Sequence, residues 1–330
     1  MFLDKAKNQH YISVSEQKLN SIDGSIQERD KIKVYSFDLV DREEHKISLS
    51  ALCEKKAVKN LSYFDLYTFE LLDGGQRHCF ERLFRRLEDV VGICTNKILD
   101  GSEFTVDDFL NVFKAKILNM IRNPFCIEFT LNNFKQLSGS YPVNQELKAY
   151  YDKIDMHTIP VETLIEFNVS EEKYKQWLKI IFLMITPLHD QKYILDNIAE
   201  NFLNLEKYYH IINICKFTNE VCLLSDRGYV NLSSLFNQSN GLCFGFNLRR
   251  DAFIYLTFLP NDLEMITKQL SIPFNKSMID EFKAIGIKTI QSSLSIQCHV
   301  NNKELLKSYN RHAIYQCAKN VYAAKDSVLI

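Results

Sequence analysis

Apolar residues recur along this chain in blocks of helical spacing divided by polar breaks. The most regular block lies in residues 78–94, where Phe80, Leu83, Phe84, Leu87, Val90, Val91 and Cys94 form a single stripe. At ~100° per residue, Glu81 and Glu88 fall together on one flank of that stripe, at the core boundary. Gly101 ends this helical region. Thr105 starts another helix with Val106, Phe109, Leu110, Phe113, Ile117 and Met120 inward. It stops at Arg122-Asn123-Pro124, because proline lacks the N–H that would continue it. Residues 131–142 turn to Asn, Ser and Gly and read as a surface loop. Helical patterns resume over 145–154, after Ser170 and over 192–205. Ser170 reads as an N-cap followed by the acids Glu171 and Glu172, with Trp177, Ile180, Ile181, Met184 and Ile185 as the buried face.

Strand patterns sit at either side of this helical middle. Residues 31–39 and 45–52 read as a hairpin turned at Asp41-Arg42-Glu43-Glu44. After Tyr208 the texture becomes short apolar runs, predicting strands over 209–217, 220–224, 242–246 and 253–259. Pro260-Asn261-Asp262 predicts a helix start, and residues 302–321 a closing amphipathic helix. Residues 1–30 are polar and irregular, with His10-Tyr11-Ile12 their one apolar foothold. The expected fold is α+β, with central helices packed on a mostly antiparallel sheet and strands concentrated in the C-terminal third. A single domain over 1–330 is expected: hairpin 31–52, helical middle 78–205, β-rich part 208–260 and closing helix 302–321.

Composition narrows the class. With 46% hydrophobic and 12% aromatic residues the chain can build a core. Forty basic against 41 acidic side chains argue against a dedicated electrostatic binder of nucleic acid or membrane. The nine cysteines are odd in number and never spaced C-x-x-C, which fits buried thiols in a reducing cytoplasm. The N-terminus has no apolar signal core, and the hydrophobic run from Trp177 to Leu188 contains Lys179 and Pro187 and is too short to span a bilayer. A soluble cytoplasmic protein, with no membrane partner, is expected.

No glycine-rich phosphate loop, G-x-S-x-G elbow or H-E-x-x-H pair occurs. Glu146-Leu147-Lys148 and Glu281-Phe282-Lys283 fit a nuclease-like E-x-K fragment, which a highly charged chain also yields by chance. Seven helical residues rise ~10 Å, so Glu81 and Glu88 are too far apart to share a proton. They could converge on a divalent cation or a substrate group. The alternative, which spacing favours, is an ion-pair ladder through Arg77, Glu81, Arg85 and Glu88. His10 is a candidate acid or base. Asp226 ends an apolar strand, where it could serve catalysis or simply start a turn. Arg122 sits at a helix C-terminus, which a cation suits in any case. Asn310 lies on the last helix.

Taken in order, these features resemble the bacterial family catalogued as domain of unknown function 4238, which has no established activity. Its opening His-Tyr motif and strand are similar to Gln9-His10-Tyr11-Ile12 and Lys33-Val34-Tyr35-Ser36-Phe37-Asp38. Its "FYT"-like segment before a two-glutamate helix is similar to Asp65-Leu66-Tyr67-Thr68 followed by Glu81 and Glu88. Arg122-Asn123-Pro124, Ser225-Asp226 and Tyr309-Asn310-Arg311 resemble its later motifs. Two positions depart from the pattern: Ser13 stands where the family has proline, and Arg227-Gly228 replaces x-Pro. The resemblance implies that His10, Glu81, Glu88, Arg122, Asp226 and Asn310 share one polar pocket.

Two functions compete. In the first, the protein is a hydrolase of phosphodiesters or nucleotides. His10 is then acid or base, Glu81, Glu88 and Asp226 serve catalysis or hold a divalent cation, and Arg122 and Asn310 bind substrate. The family habit implies a toxin or phage-defence effector. In the second, the protein is a non-catalytic sensor or binds a protein partner through some of its 23 phenylalanines and 16 tyrosines.

Overall fold

A computed structural model describes residues 1–330 except 27, 29–30, 52–60, 102–103, 138, 189–191, 205–206, 235–240 and 261–295. The N-terminal arm, irregular by its polarity, is built into the fold as β1 (Leu3–Asp4), β2 (Asn8–His10) and α1 (Val14–Leu19). Ser13 caps α1, accepting from the Glu16 N–H at 3.1 Å. The predicted hairpin forms β3 (Tyr35–Asp41) and β4 (Lys46–Leu49), with the Asp41 carboxylate accepting the Glu44 N–H at 3.0 Å. Then come β5 (Ser62–Phe64), paired with β2, and β6 (Thr68–Leu71) and β7 (Arg77–Cys79). Leu3 pairs with His78 and Asp4 with Arg77, giving a three-stranded sheet in the order β1-β7-β6. Pairing with β6 on one side and β1 on the other makes residues 77–79 a strand.

The apolar stripe becomes α2 (Glu81–Asp100), closed by Gly101 at φ 72°, a left-handed conformation that costs glycine little. Thr105 and Asp108 form a reciprocal capping box that starts α3 (Val106–Arg122). Helix α4 (Ile127–Asn133) takes in the start of the expected loop, and Phe129 and Leu131 pack against the core from it. Three further helices follow the predicted patterns closely, α5 (Gln145–Met156), α7 (Glu171–Ile185) and α8 (Ile194–Phe202). Between the first two lies an unpredicted short helix, α6 (Val161–Phe167). One face and the C-terminal half of α7 are buried, and its two polar rings are satisfied there. Trp177 Nε1 donates to the Ile121 carbonyl at 2.7 Å and Tyr174 Oη to the Leu66 carbonyl at 2.6 Å.

Beyond residue 207 come β8 (Tyr208–Lys216), β9 (Leu224–Ser225), β10 (Val230–Asn231), β11 (Leu242–Arg249), β12 (Ala252–Pro260) and β13 (Ile296–Val300). Five of them form a sheet in the order β10-β11-β12-β8-β13, antiparallel except where β13 meets β8. The strand predicted over 220–224 reduces to β9, which starts at Leu224. The helix start at Pro260-Asn261-Asp262 and the Glu281-Phe282-Lys283 triplet fall on residues 261–295, outside the described residues. The closing helix, α9 (Lys303–Gln316), ends earlier than its pattern suggests, and the chain turns into β14 (Asn320–Ala323). Strand β14 sits between β3 and β9 in the sheet β4-β3-β14-β9, so residues 320–323 pair with the first hairpin. The fold is α+β with mostly antiparallel sheets. No helix among the described residues is long and apolar enough to cross a membrane. The described cysteines are all free thiols, and only Cys298 among them is exposed.

Candidate functional site

Glu81 is the first residue of α2, and its position follows from the β7 strand and the turn at Phe80 that precede it. The main-chain N–H of His10, at the end of β2, donates to Glu81 Oε1 at 3.0 Å. Tyr67 fastens the same arm from the other side. Its hydroxyl donates to the Arg122 carbonyl at 3.0 Å and lies 3.3 Å from the His10 carbonyl. Burial pushes the Glu81 carboxyl up to about 7, aided by the nearby Glu88 charge and opposed by Arg122 and the His10 N–H.

Glu88, two turns along α2, has a different neighbour. Arg122 Nη2 lies 2.6 Å from Glu88 Oε1. The guanidinium is fully buried, with its carbon 4.3 Å from the Phe84 ring centroid. Arg122 Nε and Nη1 are buried with no hydrogen-bond partner among the described residues. Burial disfavours its charge, but Glu88, Tyr67 and Glu81 together hold its pKa above the ordinary value. The Glu88 carbonyl also accepts from Ser15 Oγ at 2.6 Å, which ties α1 to α2.

His10, Glu81 and Glu88 line a cleft of about 220 Å³ between α1 and α2, together with Lys18 and Arg85. A larger hollow of about 640 Å³ continues along α2 to Arg249 and Arg250 and shares Ser15, Lys18, Glu88 and Asp89 with the cleft. The two make one groove. Three of the six expected residues thus line one cleft, and Arg122 supports Glu88 from beneath.

The remaining expectations are corrected. Arg122 is buried under Glu88 and is not among the residues lining the cleft, so it positions a carboxylate instead of binding substrate there. Asp226 is fully buried and accepts three successive main-chain N–H groups, from Ala318 at 2.8 Å, Lys319 at 2.6 Å and Asn320 at 2.9 Å. Burial pushes its carboxyl up, and the N–H groups of Asn320, Lys319 and Ala318 pull it back. It holds the turn between α9 and β14. Asn310 is equally occupied, accepting from the Leu223 N–H at 3.0 Å and donating to the Leu329 carbonyl at 2.7 Å. The divalent-cation set of Glu81, Glu88 and Asp226 is not assembled, and no cluster of three metal-ligating His, Cys, Asp or Glu side chains occurs among the described residues.

The ion-pair ladder along α2 does not form either. Arg77 pairs with Asp65 at 2.6 Å, Arg85 approaches Asp4 at 3.8 Å, and Glu88 takes Arg122. Partners brought in by other elements displace the neighbours along the helix. The Glu146-Leu147-Lys148 triplet lies in the first turn of α5, with Glu146 exposed.

A second buried charge pair went unpredicted. Glu16 of α1 bonds Lys116 Nζ and Asn119 Nδ2 of α3, and all three are buried. With Arg122, these residues give α3 a buried polar stripe at 116, 119 and 122 that faces the acids of α1 and α2. The S-x-x-E spacing of Ser13 and Glu16 is the one sequence signal that could have revealed α1.

No family model, curated protein or solved structure matches this chain. The family resemblance therefore stands on its short motifs alone.

Proposed function

We propose that this protein is a hydrolase of phosphodiesters or nucleotides, working in the groove between α1 and α2. The observation that supports this reading most is the Glu81 carboxyl, raised to about 7 beside a second glutamate that is ion-paired. Two carboxyl groups in such different surroundings suit an acid and its electrostatic companion. A proton held near neutrality is available to the leaving oxygen as the bond to phosphorus breaks. The His10 imidazole takes a proton from the attacking water, and Lys18 and Arg85 supply positive charge for the phosphate. Service as a toxin or phage-defence effector is proposed from the family resemblance alone.

The test is incubation of the pure chain with RNA, DNA and nucleotides, with and without magnesium. His10→Ala retains the main-chain N–H to Glu81, so it removes the imidazole while leaving that contact. Both His10→Ala and Glu81→Gln should abolish turnover while the protein stays folded. Unfolding of both variants would instead mark the cluster as structural.

A second reading, a non-catalytic protein that binds a protein partner, draws on α6. Val161 and Ile165, one turn apart, are 64% and 74% exposed. Absence of hydrolysis across all substrates would favour it.

A further inference from the structure

Away from the groove, a hollow of about 460 Å³ opens where the start of β4's hairpin turn meets the end of α9 and strand β10. Its lining among the described residues includes two arginines, Arg42 and Arg227, and three aromatic rings, Phe129, Tyr229 and Tyr315, but no carboxylate. Several arginines of this chain find an acid, among them Arg77, Arg122 and Arg249. Neither Arg42 nor Arg227 makes an ion pair among the described residues, although the Arg227 charge acts on the neighbouring Asp226 carboxylate.

Arg42 is held in place without being neutralised. Its Nη1 donates to the carbonyls of Tyr315 and Cys317, the latter at 2.9 Å, at the end of α9. Carbonyls fix the guanidinium but leave its charge and its other N–H groups for an anion. Arg227 follows Asp226 in the turn closed by the Gly228 N–H to the Ser225 carbonyl at 2.8 Å. Its Nε is buried with no hydrogen-bond partner among the described residues. An unpaired buried donor is costly unless something accepts from it. Beside the arginines, the Phe129 and Tyr229 rings lie 5.5 Å apart, and Tyr315 is 42% exposed at the rim. Fixed cations beside aromatic rings match a ligand that joins a phosphate to a flat ring.

We propose that this hollow is a binding site for a nucleoside monophosphate, separate from the Glu81 groove. Arg42 and Arg227 take the phosphate, and the aromatic side chains take the base. The volume lies within the range of small-molecule sites.

Calorimetric titration of the full chain with AMP, adenosine and inorganic phosphate tests it. The expected result is an AMP site that survives Arg85→Ala in the groove, with adenosine roughly tenfold weaker or more there for lack of the charged contacts. Arg227→Gln should weaken AMP by roughly tenfold or more, while Glu81→Gln leaves it unchanged. Should Arg227→Gln fail to fold, Tyr315→Ala at the rim serves in its place and should weaken AMP but not phosphate. AMP that fails to bind the wild type, binds the hollow's variants undiminished, or is lost on Arg85→Ala in the groove would overturn the proposal. Loss of hydrolysis in Glu81→Gln with AMP binding intact keeps the two sites' fates separate.

Discussion

Arg122 Nη2 and Glu88 Oε1 lie 2.6 Å apart, joining the last residue of α3 to the middle of α2 across 34 positions of sequence. The pair is the floor of the candidate site. Glu81, two turns earlier on the same helix, has no such close cation among the described residues and receives a main-chain N–H instead. The difference between the two glutamates therefore comes from what packs against α2 and not from α2 itself.

Glu81 makes stability depend on pH. Its folded pKa of about 7 exceeds the unfolded value of 4.5, so the folded state binds the proton more tightly. This favours folding fully below about pH 4.5 and fades as pH rises through 7. Glu81→Gln, which keeps an acceptor for His10, should flatten that slope. Urea unfolding at pH 5 and pH 8 should show the variant gaining on the wild type by roughly 1–3 kcal/mol at the higher pH. Parallel pH profiles for the two proteins would contradict the assignment.

Removing Glu88 leaves a buried guanidinium without its carboxylate. Glu88→Ala is expected to lose roughly 3–5 kcal/mol, and Arg122→Met a comparable amount. Because the two side chains touch, the double variant should lose much less than the sum of the singles. A double-mutant cycle by chemical denaturation measures this coupling, and additive losses would deny it.

The Glu16–Lys116–Asn119 cluster should behave in the same way, at the junction of α1 and α3. Lys116→Met alone is expected to cost roughly 3–5 kcal/mol, because it strands the Glu16 charge. Adding Glu16→Gln removes the charge, keeps an acceptor for Asn119 and should recover most of the loss. Thermal melts of the single and double variants decide it.

Asp226 and Asn310 are expected to govern folding. Asp226→Asn replaces one accepting carboxylate oxygen with an NH₂ that opposes at least one main-chain donor, at a cost of roughly 2–4 kcal/mol. Asn310→Ala leaves the Leu223 N–H and the Leu329 carbonyl unpaired, for roughly 1–3 kcal/mol. Any loss of hydrolysis in these variants should follow the unfolded fraction measured by circular dichroism. A folded but inactive Asp226→Asn protein would return that residue to the catalytic site.

What the sequence by itself determined was local. Apolar spacing placed α2, α3, α5 and α7, Ser170 and Thr105 marked helix starts, Pro124 marked a stop, and alternating runs gave β8, β11 and β12. The same periodicity put Glu81 and Glu88 on one flank of α2. These features depend on neighbours within one or two turns, which a linear pattern records. Only the tertiary structure decided which acid meets which base. The two-residue strand β1 gains its hydrogen bonds from β7, and β14 exists because β3 and β9 flank it. Glu16 met Lys116, Glu88 met Arg122 and Asp226 met three N–H groups through contacts spanning 34 to 100 positions. A buried charge takes whichever partner the packing brings within reach, and that choice leaves no periodic trace in the chain.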